Sequence, residues 1–313
     1  MRISTVAGVI AALARLAVAA PPTVFAPDVI SGPGHDSAPA FTPDGATVYF
    51  ARSSSAVSTI MVSQRRGQTW SAPTVAPFSG EWNDMEPAMS PDGTFLIFVS
   101  NRPAQPGGAV LDGHWNGRDW PQNGGNLWRV DRKDGGWGTP VRLPDVINRG
   151  TSVFAPAVVR DGSIYFMTAD ADGHHFHLYR AQRTVDGFDA PVAVSFGDPA
   201  ASDVDPAVAP DESYTVFAST RAPAAAMDVF VVRRAANGAW DTPVHLGTEV
   251  NSPGSDAETR LSPDGKTLYF ASDRVTPVTF PRTRAQATRD LARLSWDNGN
   301  YNIWQVDLSP WLR

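Results

Sequence analysis

Thr42-Pro43-Asp44-Gly45, Ser90-Pro91-Asp92-Gly93, Arg160-Asp161-Gly162, Ala209-Pro210-Asp211-Glu212 and Ser262-Pro263-Asp264-Gly265 repeat one short pattern five times along the chain. Proline presets φ for the second turn position, aspartate can accept bonds from its own backbone, and glycine suits the last position. Each copy therefore reads as a tight turn. A strand follows each turn: Thr47-Val48-Tyr49-Phe50, Phe95-Leu96-Ile97-Phe98, Ser163-Ile164-Tyr165-Phe166, Tyr214-Thr215-Val216-Phe217 and Thr267-Leu268-Tyr269-Phe270. Their β-branched and aromatic content is that of packed strands.

Working outward, a third strand recurs at Asn126-Leu127-Trp128, His177-Leu178-Tyr179, Asp228-Val229-Phe230 and Asn302-Ile303-Trp304. A fourth is introduced by Trp70-Ser71-Ala72-Pro73, Trp137-Gly138-Thr139-Pro140, Phe188-Asp189-Ala190-Pro191 and Trp240-Asp241-Thr242-Pro243. Four strands in about 50 residues is the size of one propeller blade. The interval from Pro91 to Arg160 is longer, and the excess falls between the second and third strands, at Pro103 to Gly125. The expected fold is all-β: a five-bladed β-propeller of four-stranded antiparallel blades.

Closure is also legible. Val24 to Ser53 aligns without a gap to Val244 to Asp273, and Val244-His245-Leu246 is the fourth strand of a blade. Val24-Phe25-Ala26 thus lacks a blade of its own, while the last repeat ends after its third strand. The N-terminal strand is expected to complete the last blade, removing the open edges of the array.

Composition agrees. Of 313 residues 42% are hydrophobic and only 19% charged, while glycine and proline number 26 and 27, a balance of turns and apolar strands. A formal charge of −6 and the lack of a basic stripe exclude nucleic acid as a partner. Without cysteine there are no disulfides. Met1 to Ala19 places Arg2 before an apolar run and ends on the small residues Ala17-Val18-Ala19, the pattern of a secretory signal. Arg15 interrupts that run, so an amphipathic N-terminal helix is the alternative. Residues 1–19 are thus expected to be a signal peptide and 20–313 a single propeller domain, periplasmic or secreted, with no transmembrane anchor after cleavage.

The repeat Asp-x-x-Pro-x-x-Ser-Pro-Asp-Gly, followed by a hydrophobic strand and Ser-x-Arg, resembles the WD40-like Pro-Asp repeat of TolB-like propellers over about residues 22–308. The resemblance implies an envelope or secreted protein acting through a propeller face. TolB-like propellers have six blades preceded by an α/β domain, and this chain offers five repeats and no such domain.

Three groups of residues stand out. Asp36, Asp84, Asp203 and Asp256 precede the turn position by seven residues, and Glu86, Asp205 and Glu258 follow two residues after the last three of these. Their loops should surround one channel mouth, where the acids could bind a cation, sugar or peptide. Arg102, Arg221 and Arg274 occur in the repeats that carry both acids, and the third repeat lacks acids and Arg alike. This correlation makes Arg102, Arg221, Arg274, Asp203 and Asp256 structural ion pairs, with Asp84, Glu86, Asp205 and Glu258 kept as ligand-binding candidates. Trp82, Trp115, Trp120 and Trp296 fall outside the repeat positions, in loops on the channel-mouth side, and are candidate anchors unless they only pack their own loops.

Asp170 to His177 reads as a solvated hairpin, and no metal or cofactor is assigned. The Gly-x-Ser-x-Gly, His-Glu-x-x-His and phosphate-loop motifs are absent, and no catalytic residue is named. The expected function is a TolB-like exported module binding a protein or glycan at the channel mouth. The alternative is a carbohydrate-active enzyme, hydrolase or lyase, with two channel carboxyls as acid and base about 5–10 Å apart.

Overall fold

The computed structural model describes residues 20–170, 173–224 and 226–313; the expected signal segment, residues 1–19, lies outside them. Five antiparallel sheets carry the fold, each with four principal strands and its innermost strand just before a Pro-Asp-Gly-type turn. The innermost strands are His35–Phe41, Asp84–Met89, Val153–Val158, Asp203–Val208 and Asp256–Leu261.

The turn chemistry sets this up. Asp44 Oδ1 accepts from the Ala46 N–H at 3.0 Å and from Thr42 Oγ1 at 2.6 Å, and Asp92 and Asp264 repeat the arrangement. Gly45, Gly93, Gly162 and Gly265 take positive φ beside them. The fourth repeat places Glu212 in that left-handed slot, at φ 58°. Its carboxylate is bound across the blade boundary by Arg180 Nε at 2.5 Å and the Tyr165 hydroxyl at 2.6 Å, which offsets the backbone strain.

The N-terminal strand closes the ring. Thr23 pairs with Gln305 and Val24 with Trp304, antiparallel, as the outermost strand of the last blade. The order in that sheet is Thr23–Val24, Asn302–Asp307, Thr267–Ser272, Asp256–Leu261. Phe25 and Ile30 are buried behind it, with Phe41, Phe50, Tyr269 and Ile303. Alternate residues of the second strands, among them Phe50, Phe98, Phe166, Phe217 and Phe270, fill the space between blades. Among the described residues no helix is long and apolar enough to cross a membrane.

Both long connections carry structure of their own. Within the second blade's insertion, Gly113–Trp115 pairs with Arg118–Trp120 as a hairpin. Within the fifth blade's insertion lies a helix, Arg284–Arg293, started by a capping box between Thr283 and Gln286 and with no buried residue.

Candidate functional site

Every innermost strand is interrupted at one equivalent place by a β-bulge, between Ser37 and Ala40, Met85 and Ala88, Phe154 and Ala157, Val204 and Ala207, Ala257 and Arg260. A residue with positive φ sits in each: Ala38 at 48°, Glu86 at 51°, Ala155 at 50°, Asp205 at 54° and Glu258 at 52°. The bulge re-aims this side chain toward the channel. Two blades meet the backbone requirement with alanine, so the fold does not demand a carboxyl there. The other three supply one each, and Glu86, Asp205 and Glu258 converge, with one oxygen of each lying within 4.8 Å of the others.

Two of these acids are tied to the backbone of the following blade. Glu86 Oε2 accepts from the Ala155 N–H at 2.5 Å, and Asp205 Oδ2 from the Glu258 N–H at 2.9 Å. Glu258 is different: its Oε2 is shut off from solvent and has no hydrogen-bond partner. Burial pushes all three carboxyls up. Glu86 rises from 4.5 to about 7, chiefly by burial and then by the Asp205 charge, opposed by the Ala155 N–H and Arg260. Asp205 is raised by burial against the Glu258 N–H and Arg260. Glu258 is raised well above its ordinary value by burial and by the charges of Glu86 and Asp205.

Arg260, absent from the sequence-based candidates, is the cation facing this cluster. The equivalent residues are Ala40, Ala88, Ala157 and Ala207, and the prolines before them become Thr259 in the last blade. Arg260 is 6% exposed, and its Nη1 donates to the Thr259 carbonyl at 2.7 Å while Nη2 is buried without a partner. It lines a cavity of about 310 Å³ at the mouth on the turn side, whose walls include Phe41, Met89, Val158 and Val208. The departure from Pro-Ala to Thr-Arg was visible in the aligned repeats. It is the one fivefold position where a lone cation replaces four alanines.

The first acids of each pair lie elsewhere, in a repeated clamp. Arg52 Nε donates to Asp36 at 2.6 Å, Arg102 Nη1 stands 3.0 Å from Asp84, Arg221 Nη2 donates to both Asp203 oxygens at 2.7 and 2.6 Å, and Arg274 Nη2 to Asp256 at 2.7 Å. Each guanidinium also binds a carbonyl of the loop before its blade, respectively that of Ile30, Phe78, Phe196 and Val250. Each lies over a phenylalanine of the second strand, at 5.0–5.4 Å for Phe50, Phe98 and Phe270 and at 5.3 Å for Phe217. Asp84 belongs to this series and does not meet Glu86 in the channel cluster. Burial raises the Asp84 carboxyl against the pull of Arg102.

The tryptophans are placed unevenly. Trp115 and Trp120 stack on each other at 5.0 Å, with Trp115 edge-on to Phe154 at 5.5 Å and packed on the core of the third blade. Trp120 Nε1 donates to the Trp115 carbonyl at 3.1 Å, and the Arg118 guanidinium lies 3.5 Å above its ring. Trp82 is half-buried in the loop that leads to Asp84. Trp296 rests edge-on to Trp304 at 6.2 Å. In the hairpin at Asp170, its Oδ1 accepts from the His175 N–H at 3.1 Å and Oδ2 stands 3.8 Å from His177 Nε2.

No family model matches the chain, and no curated protein matches its sequence. Solved structures do. A TolB candidate from Agrobacterium tumefaciens is 16% identical over 77% of this chain and 70% of its own, with a TM-score of 0.48. TolB from Acinetobacter baumannii is 14% identical, covering 88% of this chain, which spans about half, 54%, of that protein's length, with a TM-score of 0.47. A thermostable family-43 glycoside hydrolase is 12% identical over 89% of this chain and 91% of its own, with a TM-score of 0.55. At these identities the likeness is one of propeller fold.

Proposed function

We propose that the protein is an exported propeller that acts by binding, receiving a protein or glycan at the channel mouth where the loops enter the innermost strands. The observation that carries this reading is the placement of Glu86, Asp205 and Glu258 at bulges that Ala38 and Ala155 fill equally well. Burying three mutually repelling carboxyls on one axis costs stability, and fold alone gives no return for it. What the arrangement offers is a concentrated acid cluster with one uncommitted oxygen on Glu258, closed to solvent in the free protein, which a cationic group of a ligand entering the channel would reach and ionise. The entry loops with Trp82, Trp120 and Trp296 would hold the rest of that ligand. Export rests on the segment Met1 to Ala19.

Glycoside cleavage is the second reading, favoured by one feature: a carboxyl held near 7 beside others is what acid–base chemistry at neutral pH uses. Against it, Glu86 and Asp205 are only 5% and 4% exposed, so a sugar ring has no room between them. Screening the purified protein on peptide and glycan arrays, alongside polysaccharide cleavage assays, tests both. Capture without cleavage supports the binding reading, and cleavage lost in Glu86→Gln would replace it.

A further inference from the structure

The three tyrosines at the equivalent place in the second strands, Tyr49, Tyr165 and Tyr269, each face the seam to the next blade. Across the first seam Trp137 Nε1 donates to the Tyr49 hydroxyl at 2.9 Å, and the rings meet edge-on at 5.6 Å. Tyr165 donates to Glu212 at 2.6 Å. Tyr269 faces the seam where the last blade meets the first, and among the described residues its hydroxyl has no partner. Trp70, which holds the place in the first blade that Trp137 holds in the second, has no hydrogen-bond partner for its Nε1 among the described residues either. Phe25, brought in by the closing strand, stands between them, 5.1 Å from Tyr269 and 5.6 Å from Trp70.

The result is a cleft of about 480 Å³ at this seam, within the range of roughly 300–1,000 Å³ usual for small-molecule sites. Its aromatic side is Phe25, Phe41, Trp70 and Tyr269. Polar groups surround it: Asp44 and Asp264 from the two turns, Arg65 and Gln68 from the hairpin of the first blade, and Gln305. Asp44 and Asp264 each spend only Oδ1 on their own turn. The side chains of Arg65, Gln68 and Gln305 make no hydrogen bond or ion pair among the described residues. The cleft opens on the turn side, opposite the mouth proposed above.

We propose that this seam is a separate binding site for a neutral saccharide of one or two pyranose rings. A pyranose has an apolar face that packs on an aromatic surface and a rim of hydroxyls that both donate and accept. The cleft supplies both halves: the half-buried ring of Trp70 as a stacking surface, backed by the buried Phe25, Phe41 and Tyr269, acceptors on Asp44 and Asp264, and donors on Arg65, Trp70, Tyr269 and Gln305. An apolar ligand would make no use of the polar rim, and a simple ion would leave the Trp70 ring unused. Charges of both signs on the rim favour a neutral ligand over an ionic one.

Calorimetric titration with cellobiose, lactose, maltose and N,N′-diacetylchitobiose tests the site directly. At least one of these should bind, and the double variant Tyr269→Phe/Gln305→Ala, which keeps the tyrosine ring and removes a hydroxyl and an amide that make no hydrogen bond among the described residues, should weaken it about tenfold or more without lowering the melting temperature. Trp120→Ala, on the opposite face, should leave this affinity unchanged. Absence of binding to the whole panel, or an affinity indifferent to the double variant, would overturn the proposal. Binding lost in Trp120→Ala and kept in the double variant would move the saccharide to the entry-loop mouth, overturning this site while sparing the function proposed above.

Discussion

Glu86 of the second blade accepts a 2.5 Å hydrogen bond from the backbone N–H of Ala155 in the third, so an acid on one bulge caps the equivalent bulge of the next. Asp205 does the same for Glu258. Acid and backbone strain are thus linked around the ring: positive φ turns an N–H toward the channel, and the preceding blade's carboxyl receives it.

This linkage has a pH signature. Folding raises Glu86 from 4.5 to about 7, so the native state holds a proton there that the unfolded chain releases earlier. Its contribution is full below about pH 4.5 and is lost as pH rises to about 7, a fall of roughly 3 kcal/mol across that window. Glu86→Gln keeps an acceptor for Ala155 and removes the titration. In urea denaturation series at pH 4.5 and 7.5, the variant should gain on the parent at the higher pH; parallel pH dependences would refute the assignment.

The Asp–Arg clamps are expected to be structural. Arg221 and Asp203 are 8% and 6% exposed, so Arg221→Ala strands a buried carboxylate and should cost roughly 3–5 kcal/mol in chemical denaturation. Ligand preference should not change. A stable variant that has lost binding would reverse the roles.

Ring closure depends on the N-terminal strand. Phe25 is 6% exposed and contacts Phe41, Trp70 and Tyr269, so Phe25→Ala should cost roughly 3–5 kcal/mol. Deleting residues 20–30 should cost more, since Ile30 goes with it and an edge is exposed. Calorimetric melting that matches the parent would contradict this closure.

Among the loop aromatics, Trp115 and Trp120 should separate. Trp115 packs on Phe154 and Phe176, so Trp115→Ala should lower the melting temperature by several degrees, whereas Trp120→Ala should act mainly on ligand capture. Two variants with equal losses of stability would make both residues loop packing.

The repeat made the architecture readable: turn residues, strand composition and the gapless match of Val24–Ser53 to Val244–Asp273 each carry their own physical reason. The Asp–Arg clamp was readable in three blades from the joint presence of both residues. It was missed in the first because Arg52 reaches Asp36 from the second strand itself, two repeat positions before Arg102, Arg221 and Arg274. Asp84 and Glu86 look alike in sequence. They part company because the bulge turns only the second toward the axis, and bulges leave no compositional mark when alanine, aspartate and glutamate all occupy them. The open seam at Trp70 and Tyr269 was hidden for a different reason, since both match the repeat and it is Phe25, brought in by the closing strand, that stands between them.

The most direct test of the binding account is calorimetric titration, at pH 7.5, of whichever peptide or glycan the arrays recover, against the parent and Glu258→Gln. Glu258 carries the uncommitted buried oxygen, and Gln preserves its shape while removing its ability to ionise against a bound cation. The account predicts binding without turnover, weakened at least about tenfold in the variant, the size of a lost charge-assisted hydrogen bond. Equal affinity in the two proteins, or release of cleaved product by the parent, would contradict it.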